Sequence, residues 1–122
     1  MNSSFRPIAT IDGSALHISF RDPASKASSL PIKVVVDVDE FGSPIGVEIL
    51  GCVSQIGANA IDGLVDILDR SAVRFSYDPE TDAAAIGVAV GNGTRTAGSA
   101  PKQAEAFLDS SSRLVMIKVH AI

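Results

Sequence analysis

Apolar and polar residues alternate along most of this chain, and the alternation falls into paired runs. Ile8-Ala9-Thr10-Ile11 and Ser14-Ala15-Leu16-His17-Ile18-Ser19-Phe20 flank Asp12-Gly13. An Asp-Gly step between two such runs predicts a hairpin, because both central positions of a type I′ turn need positive φ. In the second run Leu16, Ile18 and Phe20 share one face, with Ala15, His17 and Ser19 on the other. Residues 21–30 have loop composition and no period. A stronger hairpin follows. Val34, Val36 and Val38 alternate with Lys33, Val35, Asp37 and Asp39, and beyond a turn over 40–43, Ile45, Val47 and Ile49 alternate with Gly46, Glu48 and Leu50. This is the pattern of an antiparallel sheet with one covered face.

The period changes between residues 55 and 70. Ile56, Ala60, Ile61, Leu64, Val65, Ile67 and Leu68 recur at helical spacing, with Asn59, Asp62, Asp66 and Asp69 opposite them. Asn59, with Asp62 three residues on, is read as an N-cap with an acidic first turn. Gly57 and Gly63 each cost about 1 kcal/mol of helix propensity. The helix therefore needs a packing partner, and its firm part is expected at about 59–69. Strands resume over 73–77 and 83–90 around a turn at 78–82. A loop opens at Gly91 and runs to Pro101-Lys102, and a last hairpin spans 103–109 and 114–121 around Ser110-Ser111-Ser112.

The chain echoes itself. Ser14-Ala15-Leu16-His17-Ile18 aligns with Asp82-Ala83-Ala84-Ala85-Ile86 at an offset of 68, and Asp39–Ile45 aligns with Asp109–Val115 at an offset of 70. Two nearly equal offsets, each keeping strand–loop–strand order, predict a duplicated pair of hairpins. The halves are placed at about 8–50 and 72–121 of a single domain spanning 1–122.

Tyr77-Asp78-Pro79-Glu80-Thr81-Asp82-Ala83 resembles the opening of a family of very small bacterial domains of unknown function. Its members begin Tyr-Asp-Pro-Glu-x-Asp-Ala and finish with an Asp-x-x-Gly turn and a Gly-Ile-Glu-Ile-Leu strand. That ending stands in the other half, as Asp39-Glu40-Phe41-Gly42 and Gly46-Val47-Glu48-Ile49-Leu50. Each half has lost the complementary signature, since Lys118 stands where Glu48 would repeat and Ser112 where Gly42 would. The resemblance implies architecture and no catalytic residues. Because members of the family are often encoded beside small toxin-like proteins, it also implies an inhibitor role.

Composition narrows the field further. The 122 residues are 46% hydrophobic and 20% charged, without tryptophan, so the chain folds around Val, Ile, Leu and Ala. The net charge of −4 divides evenly between residues 1–61 and 62–122, and no Lys/Arg cluster advertises nucleic-acid binding. No apolar run approaches the ~20 residues that span a bilayer. Residues 1–7 carry no apolar leader stretch, and a cytoplasmic location is expected.

Candidate chemistry is thin. Asp37-x-Asp39-x-x-Gly42 with Glu48 at the twelfth position nearly fits a calcium loop, but Phe41 stands where an oxygen ligand is needed and Pro44 intrudes. It is read as a hairpin turn. His17 and His120 lie on strands, with nothing in the spacing to bring them to Cys52 or to a carboxylate. Gly91-Asn92-Gly93-Thr94-Arg95 lacks the ending of a phosphate loop, and Ser110–Ser112 is followed by no helix. No catalytic, metal or cofactor-binding residue is expected. Ala83, Ala85, Gly87 and Ala89 form a row of small residues that admits close approach, by the connecting helix or by a second copy.

The expected protein is mainly β (α+β), with two pseudo-repeated antiparallel four-strand units joined by one packed helix. Its expected role is a non-enzymatic protein-binding module of antitoxin or inhibitor type. Asp37, Asp39, Glu40 and Glu48 would present an acidic edge to a basic, toxin-like partner. The alternatives are a self-associating scaffold and a hydrolase whose site the sequence does not reveal.

Overall fold

The computed structural model describes residues 5–64, 73–88 and 96–121. The protein is mainly β. Eight strands, β1 (Ile8–Asp12), β2 (Ala15–Ser19), β3 (Ser28–Val38), β4 (Pro44–Leu50), β5 (Arg74–Asp78), β6 (Ala83–Gly87), β7 (Gly98–Leu108) and β8 (Leu114–Val119), form one antiparallel sheet. Alternation decides its two faces. Leu16, Ile18, Ile32, Val34, Val36, Val47, Ile49, Ala84, Ile86, Ile117 and Val119 turn inward into one core, each at most 2% exposed. Burying a side chain of this size stabilises by about 1.5–3 kcal/mol, so the inner face holds the sheet in its curl.

The strand order is β1-β2-β8-β7-β3-β4-β6-β5. Exchanging each strand for the one four places away in the chain reproduces this order read backwards. The two halves do not form separate four-strand units. Hairpin β1–β2 joins β8–β7 of the other half, and β6–β5 joins β3–β4, so the halves interleave in one sheet. The spacing is regular, with offsets of 66 for β1 to β5, 68 for β2 to β6, and 70 for β3 to β7 and β4 to β8. Both long hairpins carry a register shift at the same place, after Asp37 and after Phe107. The bulged residues Ile45 and Val115 use their carbonyls to receive the N–H groups of Val88 and Phe20 from the neighbouring strand ends.

Two stretches with loop composition are strand. β3 begins at Ser28 and β7 at Gly98, because the two pair with each other over all eleven residues, from Ser28↔Leu108 to Val38↔Gly98. Tertiary pairing overrides local composition here. Pro31 and Pro101 lie inside these strands without removing a ladder bond. Lys33 N–H and C=O both bond the Gln55 side chain and so point away from β7. Backbone direction repeats every second residue, which aims the Pro31 nitrogen past the end of β4. Gln103 C=O receives His120 N–H, and the Pro101 nitrogen points past β8 in the same way. Each proline blunts an open length of edge.

The connection after β4 departs from the expected helix. An α-helix, α1, occupies Cys52–Ile56, and a 3-10 turn follows over Ala58–Ile61. Gly51, Gly57 and Gly63 all hold positive φ, between 65° and 92°, and the glycines that only weaken a helix on propensity here break it. The rest of the predicted 59–69 helix falls at residues 65–69, outside the described residues. Cys52, Ile56, Ala60 and Leu64 join the core on the inner side of the sheet.

Candidate functional site

The acidic edge assembles only in part. Asp39 is 2% exposed and folds back on its own turn. Its Oδ1 accepts the N–H groups of Phe41 (2.8 Å) and Ser43 (2.9 Å), closing the β3–β4 turn. Asp109 does the same for Ser111 and Arg113 in the β7–β8 turn, both at 2.9 Å. An Asp that organises its own turn by bonding backbone two and four residues on is withdrawn from solvent. The expectation that Asp39 is presented outward is corrected on this ground.

Asp37 and Glu48 do come together. Register pairs Asp37 with Gly46 and Val35 with Glu48, which places both carboxyls on the outer face, diagonal to each other. Glu48 hydrogen-bonds Asp37, and that bond, more than the charge of Asp37 or burial, raises the Glu48 pKa above its ordinary 4.5. A proton is therefore held more tightly between the two carboxyls than on an isolated glutamate. Ser99, reached through the Asp37↔Ser99 pair of β3 and β7, donates to Asp37 Oδ1 at 2.6 Å. Sequence spacing gives no hint of Ser99, because it comes from a strand 62 residues away. Glu40 stands exposed at the turn beside Phe41, which is 73% exposed.

The row of small residues lies on this same outer face. Gly46↔Gly87, Glu48↔Ala85 and Leu50↔Ala83 are neighbours across β4 and β6. Ala85 is exposed, and Ala83 and Gly87 are half-buried; Ala89 lies outside the described residues. α1 packs on the opposite, inner face, so it does not cover this strip. The acidic pair and the small residues form one continuous surface, with Leu50 (56% exposed) at its end.

A third cluster joins α1 to the β5–β6 turn. Asp82 accepts from Val53 N–H (2.8 Å), Ser54 N–H (3.1 Å), Ser54 Oγ (2.9 Å) and Tyr77 Oη (2.7 Å). Gly51 offers no side chain to cap α1, and Asp82 caps it from across the chain. Donors converging on one carboxylate, Tyr77 first among them, hold Asp82 down to about 2, and the same bond pushes Tyr77 up to about 12. The Cys52 thiol, fully buried next to this cluster, is pushed up to about 11, chiefly by desolvation. These groups suit a structural clasp. They do not suit a nucleophile, which needs a lowered thiol pKa and access.

The histidines stay apart from Cys52. His17 pairs with Lys118 on the outer face, and His120 Nε2 sits 3.5 Å from Glu105 Oε1. Among the described residues no group of three or more His, Cys, Asp or Glu could hold a metal ion, and no helix is long and apolar enough to cross a membrane. Compared with known proteins, the chain matches no family model, no curated protein and no solved structure.

Proposed function

We propose that this protein is a non-enzymatic binding module of antitoxin or inhibitor type, which engages a basic protein through the outer face of β3, β4 and β6. The observation that carries this reading is the Asp37–Glu48 pair beside an uncovered floor of Gly46, Ala85 and Gly87. Close like charges on a sheet are destabilising, and a Lys or Arg brought to this face would relieve that repulsion. Small residues around the pair let a partner's backbone approach. The resemblance to small bacterial domains often encoded beside toxin-like proteins supports the same reading. The repeated spacings support a duplicated origin, in which the halves have exchanged hairpins.

Affinity capture from the native host with mass spectrometry would identify the partner. Binding kinetics with Asp37→Lys and Glu40→Lys would then test the face, leaving Asp39 in its turn. Association at low salt should slow by tenfold or more. A charge-reversed protein that folds and binds its partner as fast as the natural one would sink the assignment.

A second reading, a self-associating scaffold, is favoured by the bare strip itself. Sedimentation of the natural protein beside Ala85→Arg decides it, since a dimer through this strip would dissociate in the variant.

A further inference from the structure

The curl of the sheet has two ends, and equivalent positions of the two halves line both. At one end stand Phe20, Leu30, Ile32, Leu108 and Leu114. The segment after β4 closes over them. Arg21 donates to the carbonyls of Leu114 and Asp62, while Ile56, Ala60 and Leu64 fill the interior. At the opposite end the equivalent residues are Val88, Ala100, Lys102, Val38 and Pro44, every one of them smaller or polar. An open-mouthed cleft of about 490 Å³ lies there, lined by Ile11, Val36, Val38, Pro44, Ala100 and Lys102 among others.

We infer that this cleft binds a small molecule with an apolar body and a single carboxylate. Its volume lies within the roughly 300–1,000 Å³ of small-molecule sites, and its lining is mainly apolar with a few polar groups, as in such sites. The corresponding space at the other end is filled by aliphatic side chains of the chain itself, which shows what the fold accepts in that position. Lys102 marks the difference between the two ends. It stands where its counterpart is the buried Ile32, half-buried on the inner face of β7. Its Nζ donates to the Ala121 carbonyl at 2.9 Å, and an ammonium has three donors. Among the described residues the other two meet no partner, which leaves them for an anion. One cation against Val36, Val38 and Pro44 fits a monoanion with a hydrocarbon body; a phosphate group calls for a cluster of donors.

Titration of the full chain with octanoate, followed by amide chemical shifts, tests the assignment. Saturable shifts confined to Val36, Val38, the Gly98–Lys102 stretch and the β1–β2 turn are the expected result. Lys102→Gln should weaken octanoate binding about tenfold and leave octanol, the uncharged analogue, unchanged. Ala100→Leu copies Leu30 from the filled end and should block both ligands in a protein with an otherwise unchanged spectrum. Absence of saturable shifts at these residues, equal binding of octanoate and octanol, or octanoate binding that survives Ala100→Leu would each overturn the proposal. So would concentration-dependent shifts at the same residues without ligand, which would make the occupant a second copy of the chain.

Discussion

Replacing Gln55 with alanine isolates a side chain that acts as a piece of strand. β4 leaves the sheet at Leu50, and the Gln55 amide takes over its pairing with β3. Oε1 accepts Lys33 N–H at 2.8 Å, and Nε2 donates to Lys33 C=O at 3.0 Å and to Leu50 C=O at 2.8 Å. In the other half, β8 continues by its own backbone, with His120 N–H on Gln103 C=O at 3.1 Å. Each of the three bonds contributes about 0.5–1.5 kcal/mol net. They share one residue and are partly open to water, so Gln55→Ala should destabilise by about 1–3 kcal/mol. The better helix propensity of alanine offsets this by only a few tenths of a kcal/mol. Gln55→Glu sharpens the test, since it keeps the acceptor for Lys33 N–H but turns a carboxylate oxygen towards two carbonyls. It should cost at least as much as alanine. Urea unfolding monitored by circular dichroism reads both values from the midpoint at constant slope. A Gln55→Ala protein within 0.3 kcal/mol of the natural one, or a Gln55→Glu protein more stable than Gln55→Ala, would refute the surrogate-strand account.

Two further measurements address the turns and the clasp. Gly42 and Ser112 hold equivalent positive φ of 81° and 64° in the two Asp-anchored turns. Left-handed backbone costs a residue with a Cβ about 1 kcal/mol. Ser112→Gly should therefore stabilise and Gly42→Ser destabilise by about that amount in thermal melts, and equal signs would refute the equivalence. Tyr77 is the only tyrosine, so tyrosinate absorbance reports it alone. Its midpoint in the folded protein should lie near 12 and fall towards 10 in Asp82→Asn. By linkage, the Tyr77 contribution is complete below pH 10 and is lost as the pH rises through 12. The Asp82 contribution is complete above pH 4 and is lost as the pH falls through 2. A Tyr77 midpoint unaffected by Asp82→Asn would contradict the Tyr77–Asp82 hydrogen bond.

What could be read in the sequence is what local periodicity controls. Val34, Val36, Val47, Ile49, Leu16 and Ile18 announce their faces because each belongs to a strand with one wet side. Residues 28–30 and 98–102 look like loop because their pairing partners lie far along the chain, and serines and prolines carry no signal of that pairing. The start of α1 at Cys52 is hidden from the sequence for a similar reason. Its cap is Asp82, about thirty residues from α1, whereas a local search finds only Asn59. Asp37 and Glu48 could be brought together from the hairpin alone. That Asp39 turns inward could not, because the alternation that sends Asp37 outward says nothing of a carboxylate folding back on its own turn. Ser99 and the uncovered side of the small-residue strip depend on strand order, which the sequence leaves open.

The interleaved order also sets how many partners one molecule can hold. Two identical halves woven in this way would display every outer residue twice, once at each end of the face. Here one chain carries both halves, and the two ends differ. Where one end has Asp37, Gly46, Glu48 and Ala85, the corresponding places at the other are Phe107, Met116, Lys118 and His17. Lys26 lies over the Phe107 ring, 5.0 Å from its centre. Lys118 itself faces Glu105 across β7 and β8, so among the described residues the Asp37–Glu48 pair has no acidic counterpart at the other end. A ligand drawn to that pair would therefore bind once per chain, where two identical halves would have bound it twice.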